Sequence, residues 1–167
     1  MMECPGFQFV FWLRLVAWLR TERSLLRVLH LPAGLMKRHL SYKYGISIPA
    51  STQIGPGFYV GHFGGIVVNE ASTIGSNCNI SQGVTLGQAN RGGRRGAPTI
   101  GDSVYIGPGA KIVGRVHVGS NVAIGANAVV TGDVPDNAVV GGIPARVLSY
   151  EGSAGYVNRT DYSILTP

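Results

Sequence analysis

The chain has 167 residues and a mass of 17.6 kDa, with 25 glycines, two cysteines and a formal net charge of +6. That length supports one domain with a core of its own. Cys4 and Cys78 form neither a disulfide framework nor a metal-ligand set, so free thiols in a reducing compartment are expected.

Residues 1–43 read as a helical cap. Phe9, Val10, Leu13, Val16, Ala17 and Leu19, then Leu25, Leu26, Val28 and Leu29, recur at helical spacing, with Arg20, Arg23 and Arg27 on a charged stripe. Pro32 is expected to end or kink this segment. Arg14 and Arg20 cut the longest apolar stretch, which argues against a transmembrane span, and no basic n-region of a secretion signal precedes it. Two readings stay open. The helices can hide the open end of a repeat region that begins near Ile48, or they can lie on a membrane interface, since Phe7, Phe9, Phe11, Trp12 and Trp18 stand beside arginines. The expected location is the cytoplasm, with the inner face of the membrane as a further option. His30 and His39 read as surface or interface groups.

From Ile48 onward a branched apolar residue recurs every sixth position: Ile48, Ile54 and Val60; Val68, Ile74, Ile80 and Leu86; then Ile100, Ile106, Ile112, Val118, Ile124 and Val130. Glycine usually follows it, as in Ile74-Gly75 and Ile100-Gly101. This period belongs to neither helix nor simple strand alternation. It predicts an all-β solenoid over 44–150, with three flat sides and three tight corners per coil and parallel stacking between coils. The apolar residue points inward. The following glycine, or a small polar residue such as Asn121 or Asn127, is expected at a corner with positive φ.

Two interruptions leave the rhythm. The run Gly61-His62-Phe63-Gly64-Gly65-Ile66-Val67 carries two extra residues, and a larger insertion spans Gln88 to Pro98. The second is expected to be an extruded loop at 88–98. Its Arg91, Arg94 and Arg95 make it either a solvated loop or a mobile arm that touches an anionic ligand. At the far end Val134-Pro135-Asp136-Asn137 breaks the period, and Val139 to Arg146 closes the solenoid. The tail 151–167, with Tyr156, Tyr162 and Pro167, reads as loose or laid across a neighbouring subunit. The flat outer faces predict self-association with closed symmetry.

Chemistry is concentrated at the first interruption. His62 lies between glycines, where a neutral imidazole can take a proton from a hydroxyl. Glu70 can hold the other imidazole N–H, orient the acceptor, or be a solvated coil residue. Asn69, Asn79 and Gln82 can donate or accept in a cleft, or simply stabilise turns. His117 reads as outward-facing. No metal set, no nucleotide-phosphate loop and no nucleic-acid element is present, so the positive charge is assigned to an anionic small molecule.

The repeats resemble the left-handed parallel β-helix of the hexapeptide-repeat acyltransferases. Gly61 to Glu70, then Gln82-Gly83-Val84-Thr85-Leu86-Gly87 and Gly141-Gly142-Ile143-Pro144-Ala145-Arg146, are similar to the serine acetyltransferase branch. The resemblance implies acetyl-CoA as donor with no metal, and a homotrimer with active sites between subunits. It makes His62 the general base, with Glu70 in the same site. It places cofactor contacts at Gly87, Gln88, Ala89, Pro108 and Ala126, and phosphate contacts at Lys111, Arg115 or Arg146. Acceptor contacts are expected at Asn69, Gln82, Arg94 and Arg95.

Departures from the branch steer the expected acceptor. Gly61 stands where the branch has an aspartate before the base. Gly96 and Ala97 replace an Arg-His pair, and Ser47 replaces the aspartate partner of the base. With those charges missing, the expected reaction is O-acetylation of a sugar or polysaccharide precursor. The chain then resembles the capsular and exopolysaccharide O-acetyltransferases most closely. Serine O-acetyltransferase and a non-catalytic β-helical scaffold are the alternatives.

Overall fold

The structure is a computed structural model, and it describes residues 4–23, 25–158 and 160. Helices α1 (Pro5–Thr21) and α2 (His30–Tyr44), joined through a 3-10 turn at Leu25–Leu29, precede three parallel sheets wound as a prism. The strands Ile46–Ser47, Ile66–Val68, Thr85–Gly87, Lys111–Val113 and Val129–Val130 stack on the first face. Gln53–Ile54, Thr73–Ile74, Thr99–Ile100 and His117–Val118 form the second. Tyr59–Val60, Asn79–Ile80, Tyr105–Ile106, Ala123–Ile124 and Val139–Gly142 form the third, which Ala145–Ser149 extends in antiparallel fashion.

The register confirms the coil. Val67 lies opposite Thr85 and Lys111 opposite Val129, a separation of three hexapeptides. Tyr59 pairs with Asn79 and Thr73 with Thr99, so both insertions are looped out without shifting the strands. The sixth-position residues Val68, Ile74, Ile80, Leu86, Ile100, Ile106, Ile112, Val118, Ile124 and Val130 are all buried. A second, smaller buried residue precedes many of them by two positions, among them Cys78, Val84, Val104, Ala110, Val116, Val122 and Ala128. These fill the narrow corners. Burial pushes the Cys78 thiol up to about 11, so it stays neutral and unreactive.

The glycine that follows the apolar residue has a different role from the one expected. Positive φ falls three residues after the apolar position, at Gly57, Asn77, Gly83, Ser103, Gly109, Asn121, Asn127 and Asn137. The expectation for Asn121 and Asn127 holds, both at φ 56°. Gly75 and Gly101 are instead required by close approach between coils. A Cβ on Gly75 would lie 2.5 Å from the Gly101 carbonyl oxygen, and one on Gly101 would lie 2.7 Å from the Gly119 carbonyl carbon. Corners of adjacent coils thus stack backbone on backbone.

The two helices pack on the first coil. Phe9 and Leu13 of α1 and Leu40 and Tyr44 of α2 join one buried cluster with Ile46, Ile48 and Phe58. The Arg14 guanidinium donates from Nη1 to the Ile54 carbonyl at 2.5 Å and from Nη2 to the Gly55 carbonyl. Lys37 Nζ donates to the Ile48 carbonyl at 2.6 Å. Pro32 does not end a helix but lies in the first turn of α2, where its missing N–H costs no intrahelical bond. Gly45, at φ 61°, ends α2 and donates its N–H to the Ser41 carbonyl. Among the described residues no helix is long and apolar enough to cross a membrane.

The tail, as far as it is described, is not loose but lies on its own solenoid. Gly152 N–H donates to the Asn137 carbonyl at 3.0 Å, and Ser153 Oγ to the Ser103 carbonyl at 2.6 Å. Tyr156 stacks on Tyr105 with ring centroids 4.5 Å apart. Polar corner residues therefore hold the segment against its own coils. Tyr162 and Pro167 lie outside the described residues.

The corner contacts give the first prediction. Gly75→Ala forces its methyl into the Gly101 backbone and should destabilise the fold by about 1–3 kcal/mol. Gly132→Ala meets nothing within 4 Å and should leave the thermal midpoint nearly unchanged. Equal midpoints for the two variants would overturn the close-approach account.

Candidate active site

The corner between the third and first faces carries the two-residue interruption. Gly64 and Gly65 take φ 106° and 64°, which lets the chain swing out and re-enter the first face at Ile66. His62 is exposed on this bulge, and no side chain among the described residues bonds its ring. Phe63 packs its ring 5.4 Å from that of Tyr44, so α2 braces the bulge. Above it the corner continues coil by coil. Gly83 N–H donates to the Gly64 carbonyl at 2.7 Å, Gly109 N–H to the Gln82 carbonyl at 2.8 Å, and Asn127 N–H to the Pro108 carbonyl at 2.8 Å. His62, Gln82, Pro108 and Ala126 therefore line one edge. Gln82 Oε1 is buried there without a donor among the described residues, a condition that a bound polar group relieves.

The corner between the first and second faces carries the rest. Asn69 and Glu70 follow the strand Ile66–Val68, while Gly87, Gln88 and Ala89 lead into the long loop. Asn69 Oδ1 accepts the Ala71 amide at 2.9 Å, which is the turn-stabilising role. Glu70 is exposed, and with Pro49, Val67, Thr85 and Gly87 it lines a shallow cavity of about 370 Å³. His62 and Glu70 flank opposite ends of one strand, so within a chain Glu70 does not hold the His62 N–H.

The loop is solvent-exposed over residues 91–95 yet tied back to the coils. Ala89 and Gly96 exchange backbone hydrogen bonds of 2.9 Å in both directions. Arg94 Nη1 donates to the Asp133 carboxylate at 2.9 Å and to the Arg115 carbonyl at 3.2 Å, and the Arg115 amide donates to the Arg94 carbonyl at 2.8 Å. The His117 amide and the Arg94 guanidinium hold the Asp133 carboxyl below its ordinary value. Register would have revealed this tie, since Asp133 occupies the same corner two coils above the loop. Arg94 is thereby engaged within the scaffold, whereas Arg91 and Arg95 are exposed.

The remaining candidates scatter. Lys111 Nζ turns onto the first face, donating to the Gly83 carbonyl and, at 3.2 Å, to Thr85 Oγ1. Arg115 is exposed beneath the loop, and its Nη2 reaches the Gly93 carbonyl at 3.4 Å. Arg146 is exposed on the closing strand. Asn79 is not free for a cleft, because its Nδ2 donates to the Tyr156 carbonyl at 2.8 Å. His117 is exposed. Among the described residues no group of three or more His, Cys, Asp or Glu is placed to hold a metal ion.

Known proteins agree with this architecture. Residues 97–132 match the family described as bacterial transferase hexapeptide (six repeats). The chain is 37% identical over 148 residues to a serine acetyltransferase of Synechococcus elongatus, an alignment spanning 89% of this chain and 59% of that protein. It superposes on a serine acetyltransferase from Brucella abortus in complex with coenzyme A with a TM-score of 0.76 and 32% identity, over 89% of this chain and 57% of the other. The Neisseria gonorrhoeae serine acetyltransferase in complex with serine gives 0.72 and 34%, over 87% and 57%. The chain thus spans less than two thirds of these proteins' length. The fold is the left-handed parallel β-helix.

These findings overturn two expectations. The similarity runs to serine acetyltransferases rather than to capsular or exopolysaccharide enzymes, and the acceptor held in the Neisseria structure is serine rather than a sugar. The sugar reading weighed Gly61, Gly96 and Ala97 as lost charges, position by position. A carboxylate is met by whatever cation the fold brings to it, and the loop presents Arg91 and Arg95 a few residues from the empty positions.

Arg94 is predicted to be the tie that docks the loop. Arg94→Ala should speed amide hydrogen exchange at Ala89 and Gly96 while exchange at Ile100 and Ile106 stays slow. Because the Asp133 carboxyl is held low, the same release should occur in the unaltered chain only as pH falls below the ordinary aspartate range, when the carboxylate takes up a proton. Unchanged exchange in the variant would mean that the backbone bonds alone hold the loop.

Proposed function

We propose that the chain is an acetyl-CoA-dependent O-acetyltransferase and that its acceptor is the hydroxyl of serine. The observation that carries this reading is His62, exposed on a glycine-flanked bulge, in a chain similar over most of its length to serine acetyltransferases.

The chemistry follows from that imidazole. A neutral ring nitrogen of His62 accepts the acceptor's O–H proton as the oxygen attacks the thioester carbonyl. The O–C bond forms, the C–S bond breaks, and the imidazolium returns the proton to the departing thiolate, giving O-acetylserine and free CoA. The attack builds negative charge on the carbonyl oxygen, which fixed N–H donors stabilise. Pro108 and Ala126, on the same edge as His62, suit the apolar stretches of the pantetheine arm. Arg115 and Arg146 are exposed cations that suit the phosphates, whereas Lys111 lies along the first face, bonded to the Gly83 carbonyl and Thr85 Oγ1. Arg95 suits the serine carboxylate.

The active unit in this reading is a homotrimer. His62, Gln82, Pro108 and Ala126 stand at one corner of the prism, and Glu70, Gln88, Ala89 and Arg95 at another. A single chain separates them by the width of the first face. A threefold ring sets the first corner of each subunit against the second corner of its neighbour, and head-to-tail contacts of this kind close.

Two measurements test this. CoA release from acetyl-CoA with L-serine should fall about 10²–10⁴-fold in His62→Ala, with acetyl-CoA affinity little altered. A His62→Ala enzyme that keeps its rate would remove the base. Co-refolding His62→Ala with a variant lacking residues 90–95 should give activity that neither parent has. A mixture no more active than its parents would place the whole site within one subunit.

A further inference from the structure

The helical cap has a second apolar face that the solenoid does not use. Its inner side chains Phe9, Leu13, Val16, Leu19, Ala33 and Leu40 are buried. At the tip of the hairpin, Leu25 is 95% exposed, Val28 76% and Leu31 71%, with Leu29, Leu35 and Trp18 about half exposed. A helix pair that is apolar on both sides calls for a partner on each. Cations rim this tip: Arg20, Arg23 and Arg27 are all exposed. Glu22 is the only acid from Cys4 to Gly45, and its carboxylate accepts the adjacent Arg23 amide at 2.9 Å.

We propose that this tip docks on an anionic phospholipid surface. The leucines and Val28 enter the boundary between headgroups and acyl chains, Trp18 sits at headgroup level, and the arginines meet lipid phosphates. The charge pattern selects this occupant. Two copies packed tip to tip would bring two arginine rims together in an apolar interface with one carboxylate each, which like-charge repulsion opposes. An anionic headgroup layer offers negative charge at the rim and hydrocarbon beneath it. The proposal is independent of the acceptor and of His62, since the tip lies in the cap and the bulge lies on the prism.

The test is co-sedimentation of the full chain with vesicles of phosphatidylcholine alone and of phosphatidylcholine mixed with phosphatidylglycerol. Binding should require the anionic lipid and weaken with added salt. Arg23→Gln and Arg27→Gln should each weaken it about fivefold, and Leu25→Asp with Val28→Asp should abolish it at an unchanged thermal midpoint. Should the aspartate variant fail to fold, the arginine variants decide alone. Equal binding to both vesicle types, or none, overturns the proposal. So does sedimentation velocity in which the unaltered chain is a larger assembly that Leu25→Asp with Val28→Asp splits, because a second copy then covers the face.

Discussion

Parallel stacking of identical corners is the constraint on which the rest of this molecule depends. Adjacent coils are only a strand spacing apart, and Gly75, Gly101 and Gly119 succeed one another at a corner where no Cβ fits between them. Once that contact is set, each coil must use eighteen residues on three faces. Any residue beyond eighteen has to leave the prism at a corner. The bulge at His62 and the loop at 88–98 are two such departures, and the register on either side of each is intact. The scaffold is therefore stiff, and the side chains with chemistry stand where the stiffness is interrupted.

A triangular section has a further consequence for function. Groups that are near in sequence can be far apart in space, because half a coil carries the chain around a corner. Glu70 is eight residues from His62 but at the other end of a strand. Gln82 is twenty residues away yet lies on the same edge, one coil above, as the bond from Gly83 to the Gly64 carbonyl shows. Proximity here follows the coil period rather than the sequence interval. A prism that distributes complementary groups over two corners presents half of a cleft on each, and rotational assembly is the simplest way to join them.

The same geometry explains what could be read from the sequence. The period of six is imposed by the interior, so the buried series from Val68 to Val130 and the two insertions were legible residue by residue. The reason for the glycines was not. A glycine at a corner can answer either to φ or to crowding, and only the distance from Gly75 to the Gly101 backbone decides between them. Pro32 was ambiguous for a similar reason, since a proline near a helix boundary suits the first turn as well as the end. The docking of Tyr156 on Tyr105 joins segments tens of residues apart, which no local pattern announces, and the Arg94–Asp133 pair shows only when the coil register is followed beyond neighbouring residues. The sugar expectation rested on charges absent at Gly61, Gly96 and Ala97 with Arg94 and Arg95 judged too few to replace them, and the similarity to serine acetyltransferases overturns it.

The start of the solenoid shows how the fold manages its own edge. A parallel coil ends in a row of carbonyls that would template another strand. Here the carbonyls of Ile48, Ile54 and Gly55 accept hydrogen bonds from Lys37 and Arg14 instead. Burial pushes both cations below their ordinary pKa values, so desolvation offsets part of what those bonds contribute. The arrangement is therefore better understood as a stop than as a source of stability. A charged side chain satisfies the edge but cannot propagate it, and the apolar faces of α1 and α2 supply the burial that holds the stop in place. That division of labour leaves the outer face of the cap without any role in closing the solenoid.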